Sequence, residues 1–587
     1  MRLRSLILTL LTVAGCGGSV VDLGGTNRHV SGASGDGLEE WTGPLVTKAE
    51  RVDLLLAVDN SASIGDKAEL LARSLRPLLE RVSTSGDVHL GVVTSSLGNV
   101  GGDLCDVSNP ATNGRAHLQR TGPDGRVIAE RGVLTFDRRT DLARFIADAE
   151  ALVRGVGQTG CGIEMQLESV YHFLVQPDPW DVVKLDAHNA ADLGAGVDDE
   201  VLAQRADFLR PDSLLAILML TDEDDGSIDP RTIGGQGWAF NARSFPGSGV
   251  RRGGGAVQGT TAARATSVCE RDPLSPDCTS CGFQAVCDPA TVECSRIRSD
   301  PRCLMSPMPG LSGVSFDGYY GPDEDALNVR PHRMKERFGV DPLFPVARYV
   351  DGLTKAKVPG RAEEHVETPE ANGRREIAPY TATESCRNPI FAASLPRSAS
   401  EELCKRQRGP RTADLVVFGV LGGVPRHLAD VTAPDWTAIV GVDPDRYDAA
   451  GQDPHMRPST TARPGLAAPS STPGDVGADP VHGREWNTLS QDLQYACTFP
   501  LPAPRTCVPF DQACDCSPDR TTTPPLCGAD PAVQVRGKAY PSLRELRLAR
   551  GLGGRGVIGS VCAESPEAAY APFLQRLGDR ITAGLVR

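Results

Sequence analysis

The sequence predicts an α/β fold: a doubly wound, mostly parallel sheet with long disulfide-rich insertions. Short apolar runs at residues 54–58 and 214–220 have the length and composition of buried parallel strands. Segments with apolar side chains at helical spacing lie between them. In sheets of this class, ligands bind outside the carboxyl ends of strands, where the strand order reverses. We therefore expect the functional site to lie where these two strands end.

Oxygen-bearing side chains follow both of these strands. Asp59, Ser61 and Ser63 come directly after the first strand, and Asp222 comes directly after the second. Carboxylates and hydroxyls are hard ligands that suit Mg²⁺ or Ca²⁺. If the two strands are neighbours, the four side chains converge on one metal site. Of the acidic run at residues 222–225, we expect only Asp222 to coordinate, because it alone directly follows the strand.

Further elements follow from apolar periodicity. The first helix contains Pro77, which is expected either to kink it or to mark a first turn. In chain order the predicted elements are a helix at 67–82, strands at 89–94 and within 127–135, helices at 141–153 and 163–174, strands at 415–420 and 557–561, and a terminal helix at 573–585.

The ordered set of polar residues resembles a known site. The DxSxS pattern of Asp59, Ser61 and Ser63, followed later by a strand ending in Thr-Asp, resembles the metal-ion-dependent adhesion site of von Willebrand factor A domains. The resemblance implies that Thr159, in the loop 157–162, completes the site. It also implies Mg²⁺ (or Ca²⁺ or Mn²⁺) with a vacant position, which an aspartate or glutamate of a partner often fills.

The resemblance extends to most of the chain after the export signal. Phrases such as VDLLLAVDNSAS, HLGVVTSSLG and FGVDPLFPVARYVDGLT look like those of a group of uncharacterised von Willebrand A lipoproteins in Gram-negative bacteria. The fold that this implies is a discontinuous domain interrupted by two insertions. The predicted segments are the domain parts 51–226, 412–428 and 551–587, a Cys-rich insertion at 227–411 and a Pro- and Cys-rich insertion at 429–550.

The first 50 residues are predicted to direct and anchor the protein. Residues 1–15 combine Arg2 and Arg4 with a short apolar core, as export signals do. The residues leading to Cys16 resemble a bacterial lipobox, which implies lipid attachment at that thiol; the alternative is an ordinary signal peptide with a chance cysteine. Because Gly17 and not aspartate follows, the outer membrane is favoured. Residues 16–50 are expected to form a flexible tether.

The cysteine count indicates disulfides. Setting Cys16 apart from the 17 cysteines leaves an even number, and exported thiols tend to be paired. Connectivity cannot be deduced from spacing, but we predict that Cys105 pairs with Cys161 and braces the loop bearing Thr159. The alternative is zinc bound through the closely spaced pairs Cys278 with Cys281 and Cys514 with Cys516, which we rank below disulfides.

Composition and motifs limit the function classes. The formal net charge of −14 offers no basic surface for nucleic acid. The sequence contains no HExxH, GxSxG or two-histidine metal motif, so we expect no enzyme. Three hypotheses remain, in this order: an envelope binding or adhesion protein that captures a carboxylate through its metal; a structural lipoprotein whose metal stabilises the fold while the insertions make contacts; and an envelope hydrolase.

Overall fold

The structure is a computed structural model that describes most of the chain. The described residues are 42–586, except 188, 195, 244–249, 253–254, 258–260, 286, 307–316, 322–323, 366–379, 381, 431, 444–448, 509–510, 512, 519–521 and 563–564. The predicted signal segment, Cys16 and the tether up to residue 41 lie outside the described residues.

A six-stranded mixed sheet forms the centre of the protein. Its strands are β1 (Val52–Val58), β2 (Asp87–Thr94), β3 (Leu134–Asp137), β4 (Leu214–Leu220), β5 (Val416–Gly422) and β6 (Gly556–Ser560). Their spatial order is β6-β5-β4-β1-β2-β3. All neighbours are parallel except β2 and β3, which are antiparallel. The chain order thus reverses between β1 and β4, the two strands that precede the predicted site.

The central strands are apolar because both of their faces are covered. Every residue of β1, β4 and β5 is buried. The main helices are α1 (Gly65–Ser74), α2 (Arg76–Val82), α3 (Leu142–Gly155), α4 (Gln166–Leu174), α5 (Asp199–Phe208), α6 (Val346–Thr354), α7 (Leu543–Gly551) and α8 (Pro566–Ala583). Six of these helices form two groups. In the first group α1 contacts α3 and α8, and in the second α6 contacts α4 and α7.

Two neighbouring residues of β5 show that these groups lie on opposite faces. Phe418 lines a small apolar cavity with residues of α4, α6 and α7. A Cβ atom added to the next residue, Gly419, would lie 3.0 Å from Phe573 and 3.1 Å from Leu577 of α8. Successive residues of a strand point to opposite faces. Helices therefore cover both faces of the sheet, and Gly419 allows α8 to approach closely.

The remaining elements are short and lie largely in the two insertions. Further helical segments are Thr232–Gly235, Val292–Ser299, Met334–Phe338 and Trp436–Val440. Two-stranded pairs are Lys184–Leu185 with Ala191–Asp192, Val250–Arg252 with Gly255–Val257, Lys357–Val358 with Cys386–Arg387, and Cys497–Thr506 with Val533–Ala539. Between residues 42 and 586, outside the gaps given above, no helix has the length and apolar character needed to cross a membrane.

Disulfides link all sixteen cysteines that follow Cys16. The pairs are Cys105–Cys161, Cys269–Cys278, Cys281–Cys303, Cys287–Cys294, Cys386–Cys404, Cys497–Cys562, Cys507–Cys514 and Cys516–Cys527. The predicted pair Cys105–Cys161 is among them. The alternative of thiolate zinc sites is wrong for this structure, because each cysteine of those two motifs is bonded to a partner outside its own motif.

Candidate functional site

Asp59 lies fully buried at the carboxyl end of β1, where three loops meet. Its Oδ1 atom accepts hydrogen bonds from the backbone N–H of Ser61 and the hydroxyl of Ser95, both at 2.9 Å. Its Oδ2 atom accepts from the hydroxyls of Ser61 at 3.2 Å and Thr221 at 3.3 Å. Ser95 follows β2 and Thr221 follows β4, so one carboxylate holds together the loops after three adjacent strands.

Asp222, also fully buried, has one bonded and one unbonded carboxylate oxygen. Its Oδ2 atom accepts a 2.7 Å hydrogen bond from the Ser63 hydroxyl and lies 2.9 Å from the Lys67 ammonium. Its Oδ1 atom is buried and has no hydrogen-bond partner among the described residues. Buried carboxylate oxygens are normally satisfied, so this atom marks a place where a cation or water would be favourable.

Lys67 is a member of the site that sequence reasoning missed. Its side chain is only 1 % exposed, and its ammonium donates to the Ser63 carbonyl at 2.8 Å and lies 3.0 Å from Asp66 Oδ1. Burial alone would lower the pKa of Lys67, but Asp222 and Asp66 outweigh it and raise that pKa above its ordinary value. A protonated lysine is therefore built into the site.

Acidic groups predominate at the site even though Lys67 is present. Burial, followed by the nearby charge of Asp222, raises the pKa of Asp59 to about 6. Burial and Asp222 likewise raise the pKa of Glu223 to about 8, and burial with Glu223 raises the pKa of Glu164 well above its usual range. When carboxyl groups repel one another in this way, a nearby positive charge stabilises their ionised forms.

Thr159 lies in the neighbouring loop but is exposed. The loop is held next to the site because Gly160 donates to the carbonyl of Asn60 at 2.7 Å and the N–H of Cys161 donates to Ser96 Oγ at 2.8 Å. Within the described chain, no hydrogen bond joins the Thr159 hydroxyl to Asp59 or Asp222 or to the two serines of the motif. The structure thus brings the predicted loop to the site, but not the predicted hydroxyl.

The rest of the acidic run has structural partners. Asp224 accepts from the backbone N–H of Arg544 at 2.7 Å, and Asp225 binds the Arg544 guanidinium at 3.1 Å. These bonds attach the loop after β4 to the start of α7. Asp222 is the member of the run that faces Ser63 and Lys67.

A hairpin of the second insertion covers the site. It consists of Cys497–Thr506 and Val533–Ala539 and is named the cover hairpin here. The N–H of Tyr540 donates to the carbonyl of Asp222 at 2.7 Å, and the Lys67 ammonium lies 5.5 Å from the centre of the Phe499 ring. The disulfide Cys497–Cys562 ties the base of the hairpin to the residues after β6.

A cavity of about 190 Å³ remains between the site and the cover hairpin. Ser63, Asp66 and Lys67 line its inner wall, and Arg505 and Lys538 belong to its outer wall. Asp515 also lines this space, and each of its three basic side chains is paired with a carboxylate. The cavity is a space through which a small group could approach the loop after β1.

The residues present fit a hard dication. Every side-chain atom of the site that could bind a metal is an oxygen. The Ser61 and Ser63 hydroxyls donate hydrogen bonds to carboxylates, which leaves the lone pairs of their oxygens free for a cation. One oxygen of Asp222 is unpaired. The Lys67 ammonium neutralises part of the charge, so the site differs from one in which all compensation must come from a metal.

Comparisons with known proteins give distant structural similarity and no family assignment. No family model matches the chain, and no curated protein matches it. A pilus adhesin from Streptococcus pneumoniae is similar at 12% identity and a TM-score of 0.15, over 31% of this chain and 22% of that one. An adhesive tip pilin from Group B Streptococcus agalactiae is similar at 11% identity and a TM-score of 0.14, over 30% and 47%. This chain thus covers less than half of either protein.

Proposed function

We propose that the protein is a lipid-anchored binding protein of the bacterial cell envelope, of the von Willebrand A type, that captures an acidic group of a partner through a divalent metal. The observation that carries this proposal is the convergence of Asp59, Ser61, Ser63 and Asp222 at the switch point of the sheet. The export signal and Cys16 support a location at the outer membrane.

The metal in this proposal is Mg²⁺, with Ca²⁺ or Mn²⁺ as substitutes. The hydroxyls of Ser61 and Ser63 and the free oxygen of Asp222 would hold it, and Asp59 would supply charge through its hydrogen bond from Ser61. When bound, the dication offers an open position to a carboxylate oxygen. Thr159 would join only if its loop turned inward.

The partner's acidic group would enter through the cavity beneath the cover hairpin. Lys67, Arg505 and Lys538 line this space, but each is already paired with a carboxylate, so in this proposal the attraction for the acidic group comes from the metal. Since the cavity is about 190 Å³, it suits a single side chain and not a folded surface. A partner would therefore present a protruding aspartate or glutamate, or the hairpin would move aside.

A second function is favoured by the burial of the site. Asp59 and Asp222 are both 0% exposed, and Lys67 already supplies a cation. In that alternative the site ties three loops together, and the insertions make the protein's external contacts. The two functions differ in what removal of Asp59 should do.

The deciding experiment is calorimetric titration of the purified protein with Mg²⁺ and Ca²⁺, beside Asp59→Asn and the exposed control Asp106→Asn. Binding of the protein without the proposed anchor (residues 17–587) to Gram-negative envelope fractions is then measured with and without chelator. Capture through the metal predicts that chelator and Asp59→Asn both abolish envelope binding while the fold, followed by circular dichroism, persists. Envelope binding that survives both treatments would establish the structural alternative.

A further inference from the structure

A cluster of two histidines and an aspartate lies in the second insertion, away from Asp59. His455 belongs to the short helix Pro454–Met456, and Asp479 and His482 belong to a turn closed by paired backbone hydrogen bonds between Asp479 and Gly483. One ligand atom from each of the three residues lies within 4.8 Å of the others. His455 and His482 are both buried, and Asp479 is 12% exposed at its side chain.

In each imidazole, the nitrogen that points away from the cluster contacts a separate carboxylate. His455 Nδ1 lies 2.7 Å from Asp453 Oδ1, and His482 Nε2 lies 2.6 Å from Glu485 Oε1. Arg463 in turn binds Glu485 at 2.7 Å. An ionised carboxylate can only accept, so both of these nitrogens carry hydrogen. The other nitrogen of each imidazole, His455 Nε2 or His482 Nδ1, faces the cluster.

Those two nitrogens face the same carboxylate. His455 Nε2 forms a 3.0 Å hydrogen bond with Asp479 Oδ2, and His482 Nδ1 lies 3.3 Å from Asp479 Oδ1. His482 Nδ1 is buried and has no hydrogen-bond partner in the described part of the chain. Because the hydrogen of His482 is on Nε2, the lone pair of Nδ1 points at a carboxylate, and a cation between the two would be favourable.

Backbone contacts fix the position of the Asp479 carboxylate. Its Oδ1 atom accepts the N–H of Val481 at 2.7 Å and the N–H of His482 at 3.1 Å. Oδ2 takes none of these backbone contacts and is hydrogen-bonded to His455 Nε2, and a metal would replace the proton between those two atoms. All three donor groups are thus oriented by a second contact before any ligand arrives, which is the arrangement that holds metal-binding histidines in place.

We propose that His455, Asp479 and His482 bind Zn²⁺ through Nε2, Oδ2 and Nδ1, with water as the fourth ligand. Two imidazoles and one carboxylate form a typical zinc ligand set, whereas Mg²⁺ and Ca²⁺ prefer oxygen alone. Zinc–ligand bonds of about 2.0–2.2 Å place tetrahedral ligand atoms roughly 3.3 Å apart. His455 Nε2 and Asp479 Oδ2 are 3.0 Å apart, and one ligand atom from each of the three residues lies within 4.8 Å of the others. Since Asp479 is partly exposed, the fourth position lies toward solvent.

This site is independent of the function proposed for the Asp59 region. It joins the segment around His455 to the turn at Asp479, in an insertion that has little regular secondary structure. The disulfide-bonded cysteines of the described chain cannot compete for the ion, because their sulfur atoms are bonded to one another.

The first test is zinc titration of metal-free full-length protein against a chromophoric chelator. The wild type is expected to take up one equivalent, and the double variant His455→Ala/His482→Ala none. The control is His427→Ala, a neighbouring histidine that is 52% exposed and contacts Asp453 at 3.7 Å; it should retain the full equivalent. No uptake by the wild type, or equal loss in the control, would overturn the proposal. Asp59→Asn should leave zinc uptake unchanged, which separates the two metal sites.

A second measurement needs no variant and so remains informative if the double variant fails to fold. Cobalt added to the metal-free wild type should give the strong visible absorption of a four-coordinate ion and should be displaced by one equivalent of zinc. A weak spectrum typical of six-coordinate cobalt would contradict the site, since it would show that the ion is not held in a four-coordinate site.

Replacing the carboxylate that contacts His455 Nδ1 should weaken zinc binding without abolishing it. Asp453→Ala removes the acceptor for His455 Nδ1 but none of the three ligands. Loss of such an outer contact typically weakens metal affinity by about 10- to 100-fold, and we expect a change in that range with the stoichiometry preserved. Unchanged affinity would show that His455 does not bind zinc through Nε2.

Discussion

The two candidate metal sites of this protein differ in where the positive charge that balances their carboxylates comes from. At the end of β1, the protein supplies its own cation, since the Lys67 ammonium lies against Asp222 and Asp66. Around His455, three possible metal ligands converge, and no lysine or arginine reaches their centre among the described contacts. The Arg463 guanidinium binds the outer carboxylate Glu485 and backbone carbonyls, including that of His455. A site with an internal cation can fold without metal, whereas a site without one depends on an ion from outside.

This difference predicts different responses to chelation. The loops around Asp59 should stay folded when metal is removed, because Lys67 and four hydroxyl or backbone hydrogen bonds to Asp59 remain. The segment around His455 should loosen, because the lone pair of His482 Nδ1 then faces the Asp479 carboxylate with no cation between them. The predictions below test this contrast from the largest expected effect to the smallest.

The largest effect is expected for Lys67→Met, which removes the internal cation. Breaking a buried ion pair by deleting one partner typically costs about 3–5 kcal/mol, and we expect the free energy of unfolding to fall by that amount in chelator. Mg²⁺ should restore part of the loss, because a dication can replace the ammonium beside Asp222. Urea unfolding with chelator and with Mg²⁺ measures both.

The matched control is Lys355→Met, a lysine paired with Asp351 and Glu384 but 44% exposed at its side chain. Exposed ion pairs contribute about 0–1 kcal/mol. The free energy of unfolding of this variant should therefore be close to that of the wild type and should not depend on Mg²⁺. Equal stability of the two variants in chelator would remove the contrast between the sites.

The sequence predicts the sheet well because the relevant signals are local. The apolar run 214–220 coincides with β4, and the run 54–58 lies within β1, since strands buried on both faces carry uninterrupted apolar residues. Pro77 marks the first turn of α2, one of the two outcomes considered. Helix α5 was not predicted, because its buried side includes Gln204 and Arg205 and gives no clear apolar stripe.

The sites are harder to predict because their decisive contacts are not local. Asp59, Ser61 and Ser63 form a recognisable pattern, but Lys67 in the first turn of a helix looks like a solvent-facing residue until Asp222 is placed beside it. His455 and His482 match no short motif and meet only when the turn at Asp479 folds back. A search for histidines spaced along one helix could not find them.

A smaller effect is expected from the pH dependence of Asp59. Its pKa is raised from 3.8 to about 6 by burial and by Asp222, with Glu164 and Glu223 also nearby. Between these pH values the folded state binds a proton that the unfolded state has released, so stability should fall as pH rises from about 4 to about 6. The slope contributed by one group is at most about 1.4 kcal/mol per pH unit.

The measurement is the difference between wild type and Asp59→Asn in urea unfolding across that interval, in chelator. The difference reports the proton bound through Asp59, including the effect of Asp59 on the pKa values of the neighbouring acidic groups. Mg²⁺ competes with the same proton and should therefore stabilise the wild type more at pH 6 than at pH 4. Parallel curves for the two proteins would show that Asp59 is already ionised and compensated at low pH.

The smallest effect on stability is expected for Thr159→Ala, and this makes the variant informative. Thr159 is exposed and has no hydrogen bond to Asp59 or Asp222 in the described chain, so its loss should change the free energy of unfolding by no more than about 0.5 kcal/mol. If the loop turns inward when metal binds, Mg²⁺ affinity should nevertheless fall, whereas Gln158→Ala, one residue earlier, should leave it unchanged. Calorimetry on both variants separates the cases. A lowered affinity at unchanged stability identifies Thr159 as a ligand gained only in the metal-bound state; equal affinity in both variants means that the site binds metal without Thr159.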